Sequence, residues 1–508
     1  MEQFDVVIIG AGLSGIGAAR YLQERCPWAS FTVLEARDAI GGTWDLFRYP
    51  GVRSDSDMYT LGYSFKPWPG DKSLADGPSI LSYVREAATE TGVDRAIRFG
   101  HRVVAADWSS DEACWTVTAE RTDTGDPVTI SAGFVFSCTG YYRYDRGHQP
   151  DFPGSDRFAG TLVHPQHWPA DLDHAGKRVV VIGSGATAVT LVPAMADTAA
   201  HVTMLQRSPT YIASVPQRDV LALAVRKYLR GPKAGPVIRW IKAILGVATY
   251  TLSRRRPETV KKLLRKGLVA GLPADYDIDT HFTPAYDPWD QRMCAIPDGD
   301  LFAAIREGKA SVVTDHIDTF TETGIRLRSG TEIEADIVVS ATGLDLLFLG
   351  GMVLSVDGQP VDVASRLVYK GMMLEGVPNM AIAVGYTNAS WTLKVDLTCD
   401  YVCRLLTKLR ASGMRQATPV NTDPSVVAEP LLNLTSGYIT RAADRFPRSG
   451  TKAPWKVHMN YLTDYRTLKL KGIDDPALHI GNPAPPTTTV AGRRAGAARD
   501  AEATVAAR

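Results

Sequence analysis

Two segments of the chain repeat one pattern of apolar and polar positions. Residues 4–9 (FDVVII) are a short β-branched run typical of a buried parallel strand. A glycine-rich turn follows, then a helical pattern through Arg25 and a second apolar run, FTVL. At 178–182 the run RVVVI is again followed by a glycine-rich turn, a helical pattern and a short run, VTML. The pattern predicts two strand–helix–strand units of an α/β fold with parallel sheets.

The first unit has the residue spacing of a dinucleotide-binding turn. Gly10 permits the tight turn, Gly12 lets the backbone approach a pyrophosphate, and Gly15 lets helix and strand pack closely. Glu35 follows the second strand, where a carboxylate accepts a hydrogen bond from a ribose 2′-hydroxyl. The helix N-terminus faces the phosphates with its positive end. This unit predicts an FAD site.

The second unit repeats the turn with Gly183, Gly185 and Ala188 but lacks the acidic residue. Arg207 and Ser208 stand where the acid would be. A carboxylate would repel a 2′-phosphate, whereas a guanidinium binds it with two charged hydrogen bonds. The second unit therefore predicts an NADPH site. Both units also close on apolar strands that end in Thr-Gly, at 134–140 and 337–343.

Length and composition restrict the class of protein. A chain of 508 residues is too long for one hydrophobic core, so more than one domain is expected. Its 45% hydrophobic and 22% charged residues are ordinary for a globular protein. The net charge of +1 argues against a globally basic nucleic-acid binder. We therefore expect small-molecule partners and no nucleic acid.

The cysteines and the chain ends favour a cytoplasmic enzyme. The six cysteines are scattered, with no CxxC pair and no His/Cys cluster at zinc spacing, so no metal site is expected. The first residues lack a basic region ahead of the apolar run, and no apolar stretch is long enough to span a membrane. Residues 486–508, rich in Thr, Ala and Arg, are predicted to be disordered.

Two further stretches resemble a known family. GGTWDLFRYPGVRSD (41–55) and FAGTLVHPQHWP (158–169) match the two motifs of the type I Baeyer–Villiger monooxygenases, a branch of the flavin-containing monooxygenases. The matching residues are Gly41, Gly42, Trp44, Tyr49, Pro50, Gly51 and Asp55 in the first motif, and Phe158, Gly160, His164, Trp168 and Pro169 in the second. The resemblance extends to about residue 485 and includes stretches similar to the ethionamide-activating subgroup.

The resemblance implies roles for single residues. The stretch with His164 and Trp168 joins the FAD domain to the NADP domain and senses their motion; His164 as a general base is the alternative. Arg292 is implied as the active-site arginine, oriented by Asp55, because oxygen insertion develops negative charge. Many relatives have lysine where this chain has Gln291, so Arg207 and Ser208 carry more of the 2′-phosphate binding.

The predicted site therefore combines catalytic and cofactor residues. Those predicted to be catalytic are Arg292, Asp55, His164 and Trp168. The FAD contacts are Gly10, Gly12, Ser14, Gly15, Glu35, Thr43, Trp44, Asp55 and Val103. The NADP contacts are Gly183, Ser184, Gly185, Ala186, Thr187, Ala188, Arg207 and Ser208. The implied activity is FAD- and NADPH-dependent insertion of oxygen from O₂ beside a ketone, with sulfide or thioamide S-oxygenation as a side activity; the alternative is mainly S- or N-oxygenation.

We expect two Rossmann-like domains with a helical insertion in the second. The predicted boundaries are 1–140 and 345–485 for the FAD domain, 141–177 for the linker, 178–214 and 292–344 for the NADP domain, and 215–291 for the insertion. From Arg218 to Lys266 the insertion is strongly basic. It is interpreted first as a helical lid and second as a peripheral membrane contact. The substrate pocket is expected to be lined by the insertion and by loops near Trp391 and Phe348.

Two other function classes also contain paired dinucleotide motifs. A disulfide reductase would need a redox-active cysteine pair beside the flavin, and Cys399 and Cys403 are four apart and late in the chain. A flavin-binding redox sensor without catalysis would not need Arg292 or a complete second motif. The sequence does not identify the natural substrate or the oligomeric state.

Overall fold

The structure, a computed structural model, describes residues 1–229, 231–432 and 434–482. The tail with predicted disorder, 486–508, lies outside the described residues. The first part of the chain forms β1 Glu2–Ile9, α1 Leu13–Arg25, β2 Phe31–Leu34, α2 Thr43–Leu46, α3 Met58–Leu61, α4 Gly77–Thr91, β3 Ile97–Arg98, β4 His101–Ser109, β5 Cys114–Arg121 and β6 Pro127–Ser137.

The middle of the chain begins a second sheet. Its elements are β7 Thr161–Val163, β8 Arg178–Ile182, α5 Ala186–Ala196, β9 His201–Gln206, β10 Ile212–Val215, α6 Val220–Tyr228, α7 Ala234–Arg255, α8 Pro257–Gly271, α9 Ile278–Phe282, β11 Cys294–Pro297, α10 Asp300–Arg306, β12 Ala310–Thr314, β13 Ile317–Phe320, β14 Gly324–Leu327, β15 Glu332–Glu334 and β16 Ile337–Ser340.

The last part returns to the first sheet. Its elements are β17 Val353–Val356, β18 Gln359–Pro360, β19 Val368–Tyr369, β20 Met373–Leu374, β21 Met380–Ile382, α11 Trp391–Ser412, β22 Gln416–Pro419, β23 Ala428–Pro430, α12 Gly437–Thr440, β24 Arg448–Gly450, α13 Tyr461–Asp464 and β25 Leu478–Gly481.

The two predicted strand–helix–strand units form two separate parallel arrangements. The larger sheet has the order β18–β17–β4–β5–β6–β1–β2–β3, with β21 beside β6, and β1 is parallel to both β2 and β6. The smaller sheet has the order β12–β9–β8–β16–β7 and is parallel throughout. Both central strands are buried on both faces, which is why they are continuous apolar runs.

The chain enters and leaves the smaller sheet at one place. All strands of this sheet lie between β6 and β17 in the sequence. The incoming and outgoing connectors run side by side: Arg143 N donates to Asp345 O (2.9 Å), and His148 N donates to Gly343 O (3.2 Å). The two sheets are therefore joined by a pair of neighbouring connectors.

Helices α6 to α9 occupy the segment for which helices are predicted. Arg239 on α7 fixes this segment to the larger sheet's half of the molecule. Its guanidinium donates to Thr60 O (2.8 Å), Gly62 O (2.5 Å) and Asp396 Oδ2 (2.7 Å). In the described ranges, no helix is long and apolar enough to cross a membrane. The domain boundaries given above stay a prediction.

Candidate active site

A cavity of about 1350 Å³ is lined by residues that follow strands of both sheets. The carboxyl ends of parallel strands are where α/β folds bind ligands. The predicted residues that line the cavity are Gly10, Gly12, Ser14, Glu35, Thr43, Trp44, Asp55, Val103, Gly183, Ser184, Gly185, Ala186, Thr187, Arg207, Ser208 and Arg292. Gly15 and Ala188 are buried in the helices behind the two turns.

The first glycine turn is closed by backbone contacts that leave no room for a side chain. Gly10 has φ +102°, and a Cβ there would lie 2.6 Å from Cys138 O. A Cβ on Gly15 would lie 1.8 Å from Gly10 O. Glu35, only 6% exposed, accepts hydrogen bonds from Ala11 N (2.7 Å) and Arg37 N (2.9 Å). The turn, the helix N-terminus and the fixed carboxylate fit the diphosphate and ribose of FAD.

The second turn has the same geometry. Gly183 has φ +135°, and a Cβ there would lie 2.4 Å from Ala341 O on the neighbouring connector. The position of a Cβ on Gly185 is open, with no atom within 4 Å among the described residues. Ser184 Oγ donates to Ser208 O (3.1 Å), which links the turn to the end of β9. These features fit a second dinucleotide.

Arg207 extends from the end of β9 into the cavity. The preceding residue, Gln206, is buried and donates to His281 O (2.7 Å) and Thr314 Oγ1 (2.8 Å), so the strand end is fixed. No carboxylate among the described residues contacts the exposed Arg207 side chain. Arg441 also lines the cavity; burial and the nearby Arg207 charge lower the pKa of Arg441, while the Asp345 carboxylate raises it. Two neighbouring cations that line the cavity fit a phosphate ligand.

Arg292 and Asp55 form a side-on ion pair in the cavity. Arg292 Nε lies 2.8 Å from Asp55 Oδ2, and Arg292 Nη2 donates to Asp55 Oδ1 at 2.9 Å. The charge of Asp55 raises the pKa of Arg292 well above its ordinary value. Arg292 is 31% exposed and lines the cavity, so part of its guanidinium remains available to a ligand. The structure thus brings together two residues 237 positions apart.

A group of tyrosines surrounds this ion pair. Tyr141, Tyr142 and Tyr438 line the same cavity, and burial raises the pKa of each phenol, to about 12 for Tyr142. Their hydroxyls therefore stay protonated at neutral pH and can donate hydrogen bonds. These residues were not predicted from the sequence, although Tyr141 and Tyr142 directly follow the Thr-Gly pair that comes just after β6.

His164 lies at the paired connectors, outside the cavity lining. The His164 side chain is half-buried, and its Nε2 atom is buried without a hydrogen-bond partner in the described structure. Its Nδ1 accepts from Gln166 N (3.2 Å), and a Cβ on Gly147 would lie 1.9 Å from the His164 Cε1 atom. Trp168 packs against the core of the smaller sheet. The structure therefore does not bring His164 and Trp168 to Arg292.

The expected pocket lining needs one correction, which concerns the helical insertion. No residue between 215 and 290 lines the large cavity in the part of the chain that the structure describes, because the helices pack outside it through Arg239. Trp391 lines the cavity as expected, and its Nε1 donates to Ser14 Oγ (2.7 Å). The loop near Phe348 also lines the cavity as expected, through Leu347, Leu349, Gly350 and Gly351, although the Phe348 ring itself packs on Phe446 with ring centroids 5.1 Å apart.

Comparison with known proteins identifies the family. Residues 3–220 match the model of the flavin-binding monooxygenase-like family. The FAD-containing monooxygenase EthA of Mycolicibacterium smegmatis is 53% identical over 480 residues, which cover 94% of this chain and 97% of that protein. The chain belongs to the flavin-binding monooxygenase-like family.

Other comparisons agree with this flavin-binding monooxygenase assignment. The probable FAD-binding monooxygenase AlmA of Acinetobacter baylyi is 50% identical over 481 residues, covering 94% of this chain and 96% of that protein. A steroid monooxygenase structure with bound NADP superimposes with a TM-score of 0.69 at 23% identity, covering 82% of this chain and 88% of that one. An open cyclohexanone monooxygenase structure gives a TM-score of 0.68 at 21% identity, covering 83% and 90%. The predicted membership of the flavin-containing monooxygenases, the EthA-like subgroup, the α/β fold class and the enzyme class, a flavoprotein monooxygenase, are confirmed. The Baeyer–Villiger branch stays a prediction.

Proposed function

We propose that this monooxygenase uses FAD and NADPH to insert one oxygen atom of O₂ beside a ketone carbonyl, giving an ester or a lactone. The observation that carries the proposal is the Arg292–Asp55 ion pair in the cavity that both nucleotide turns line. When bound, FAD supplies the activation of O₂ and NADPH supplies the electrons. Gly10, Gly12 and Glu35 would hold FAD, and Gly183, Gly185 and Arg207 would hold NADPH.

Arg292 provides a permanent positive charge where negative charge develops on oxygen. Asp55 holds the guanidinium side-on, so its direction is fixed before the substrate binds. A preorganised donor stabilises a developing oxyanion without reorganisation, which is the largest single effect in many enzymes. The protonated hydroxyls of Tyr141, Tyr142 and Tyr438, whose pKa values burial raises further, would orient the substrate carbonyl in the same cavity.

His164 would transmit motion between the halves of the enzyme. Its ring packs on one connector at Gly147, beside the hydrogen bond from His148 to Gly343 on the other. Its position outside the cavity lining supports this role over that of a general base. Closure of the smaller sheet on the larger one would bring the nicotinamide to the flavin.

The natural setting and substrate range complete the proposal. We expect a cytoplasmic enzyme, since none of the six cysteines, all within the described residues, forms a disulfide. Sulfides and thioamides would be oxygenated as a side activity, and a mainly S- or N-oxygenating enzyme is the alternative.

A substrate panel tests this proposal. The holoenzyme is incubated in air with NADPH and with linear, cyclic or aryl ketones or thioethers, and products are identified by mass spectrometry. Esters or lactones from at least one ketone class support the proposal. Sulfoxides or N-oxides without any ester support the alternative.

A further inference from the structure

Exposed apolar side chains are concentrated in the helical segment α6–α8. Seventeen large apolar side chains are exposed among the described residues, and ten of them lie between Val220 and Val269. Single exposed apolar residues are normal on a protein surface, but contiguous groups mark interaction sites. This concentration of exposed apolar side chains therefore indicates an interaction surface on α6–α8.

Helix α7 arranges its share of these residues as one stripe. At helical spacing, the apolar positions of this face lie three or four residues apart and share one side: they are Val237, Ile241, Ile244, Leu245, Ala248 and Leu252. Ile244, Leu245 and Leu252 are 48%, 45% and 48% exposed. The stripe is about 22 Å long. The opposite side carries Arg239 and Ala243, which are both buried.

The segment that contains this stripe is also rich in basic residues. The segment 218–271 has 14 Lys and Arg against Asp219 and Glu258. Lys233 lies one turn before Val237, and Arg255 lies three residues after Leu252, so both extend the same face. Within the described residues, the segment's exposed cations that contact no carboxylate are Arg218, Lys227, Lys233, Arg255, Arg256, Lys262 and Lys266. We name the stripe and these cations the basic apolar face.

We propose that the basic apolar face docks the enzyme on the surface of a lipid bilayer that contains anionic lipids. The apolar stripe would enter the boundary between headgroups and acyl chains, while the cations contact anionic headgroups. The apolar stripe thus matches the acyl-chain boundary of the bilayer, and the cations match its anionic headgroups. The proposal goes beyond the proposed reaction and does not depend on it.

The charges argue against two other partners. A second copy of the chain, docked face to face, would place Lys233, Arg255 and Lys262 against like charges. A nucleic acid would neutralise the cations but leave the apolar stripe in water. The interpretation of the segment as a lid over the pocket has no support in the cavity lining, which lacks residues 215–290 in the described structure.

Vesicle flotation tests the proposal with the full-length holoenzyme. One set of vesicles is pure phosphatidylcholine, and the other contains about a third phosphatidylglycerol, which supplies the anionic surface. The enzyme should float with the anionic vesicles and stay behind with the neutral ones. Raising the salt concentration should weaken the binding, because the cations contribute through screened charges.

Two variants separate the apolar and charged contributions. Replacing Ile244, Leu245 and Leu252 by Ser should weaken vesicle binding about tenfold or more, because the inserted surface is lost. Arg255→Gln with Lys262→Gln should weaken it about fivefold per charge. Matched controls replace exposed residues elsewhere: Val353→Ser with Val427→Ser, and Lys177→Gln with Arg328→Gln.

FAD content and thermal stability, measured on each variant, show that the fold is intact. Binding that both face variants lose and both controls keep supports the proposal. Equal losses in face variants and controls would overturn it. So would absence of vesicle binding by the unchanged enzyme; if the Ser variant then also dissolves an oligomer seen by light scattering, the face belongs to a second copy of the chain.

Discussion

Glu35 and Arg207 occupy equivalent positions after the second strands of the two nucleotide turns, and the structure holds them in opposite ways. Two backbone amides fix the buried Glu35 carboxylate, whereas the Arg207 guanidinium extends into the cavity without a carboxylate partner among the described residues. A neutral ribose hydroxyl needs one fixed acceptor, and a phosphate needs a free cation. Glu35 therefore suits the first turn to the ribose of FAD, and Arg207 suits the second turn to the phosphate of NADPH.

Replacing Arg207 should change the preference between nicotinamide cofactors. Arg207→Ala should weaken NADPH binding about ten- to a hundredfold through loss of charged hydrogen bonds to one phosphate, and affect NADH far less. Titration of both cofactors, with Lys177→Ala as an exposed control, measures this. Equal losses for NADPH and NADH would mean that Arg207 does not bind the 2′-phosphate.

Arg292→Ala should separate the two oxygenation reactions. Attack on a ketone needs an anionic oxygen nucleophile, which Arg292 stabilises, whereas sulfide oxygenation needs a neutral electrophile. Ester formation should fall about 10²–10³-fold, and sulfoxide formation should fall less. The ratio of ester to sulfoxide with competing substrates is the quantity to measure.

A second arginine–aspartate pair provides the control for this test. Arg326 lies 3.0 Å from Asp318 on the surface, away from the cavity, so Arg326→Ala should leave the product ratio unchanged. An unchanged ratio in Arg292→Ala would show that Arg292 does not control the charge on the reacting oxygen.

His164→Ala should slow flavin reduction while leaving FAD bound. Loss of the imidazole ring removes its contact with Gly147 at the paired connectors. The smaller sheet should then close on the larger one less often in the orientation that brings NADPH to the flavin. Stopped-flow mixing with NADPH without oxygen measures the reductive step, with the exposed His479→Ala as control. Normal reduction combined with lost oxygenation would favour the general-base role instead.

Acid should destabilise the enzyme partly through His164. Burial lowers the pKa of His164 below that of the unfolded chain, so the unfolded state binds more protons below about pH 6.5. The contribution to stability is therefore complete above that pH and is lost as the pH falls through the folded pKa. The melting temperature should fall less between neutral and acidic pH in His164→Asn. An identical fall in both proteins would show that His164 titrates as it does in the unfolded chain.

Gly15→Ala should prevent formation of the first turn. The added Cβ would meet Gly10 O at 1.8 Å, so helix and strand must separate. We expect loss of bound FAD and a markedly lower melting temperature. Gly246→Ala, with no described atom within 4 Å of its Cβ, is the matched control and should be neutral or stabilising by about 0.5–1 kcal/mol. Normal FAD content in Gly15→Ala would contradict the closed turn.

The turns could be predicted from the sequence because their chemistry is local. Gly10, Glu35 and Arg207 act through the strands and helices directly beside them. The Arg292–Asp55 pair joins distant segments, so only the family resemblance pointed to it. The burial of His164 could not be predicted, because it depends on the missing side chain of Gly147, which lies on another segment.

The prediction that the helical insertion lines the pocket failed for a similar reason. A helical segment between two strands can fold over a cavity or away from it, and periodicity does not distinguish the two. In this structure, hydrogen bonds from Arg239 to Thr60, Gly62 and Asp396 hold the helical segment away from the cavity. The tyrosines of the cavity were missed because aromatic residues after a strand are more often core than site.

The paired connectors place both ends of the smaller sheet's segment next to each other. Because Arg143 N and Asp345 O are hydrogen-bonded, the segment between them begins and ends at one point of the surface. A short glycine–serine linker from Arg143 to Asp345 would retain every strand of the larger sheet but would remove α7, whose Ile238 and Arg239 pack in that half of the molecule. The segment between Arg143 and Asp345 could be replaced by the corresponding segment of a relative. Such an exchange would transfer the relative's preference between NADPH and NADH, while the first glycine turn stays unchanged.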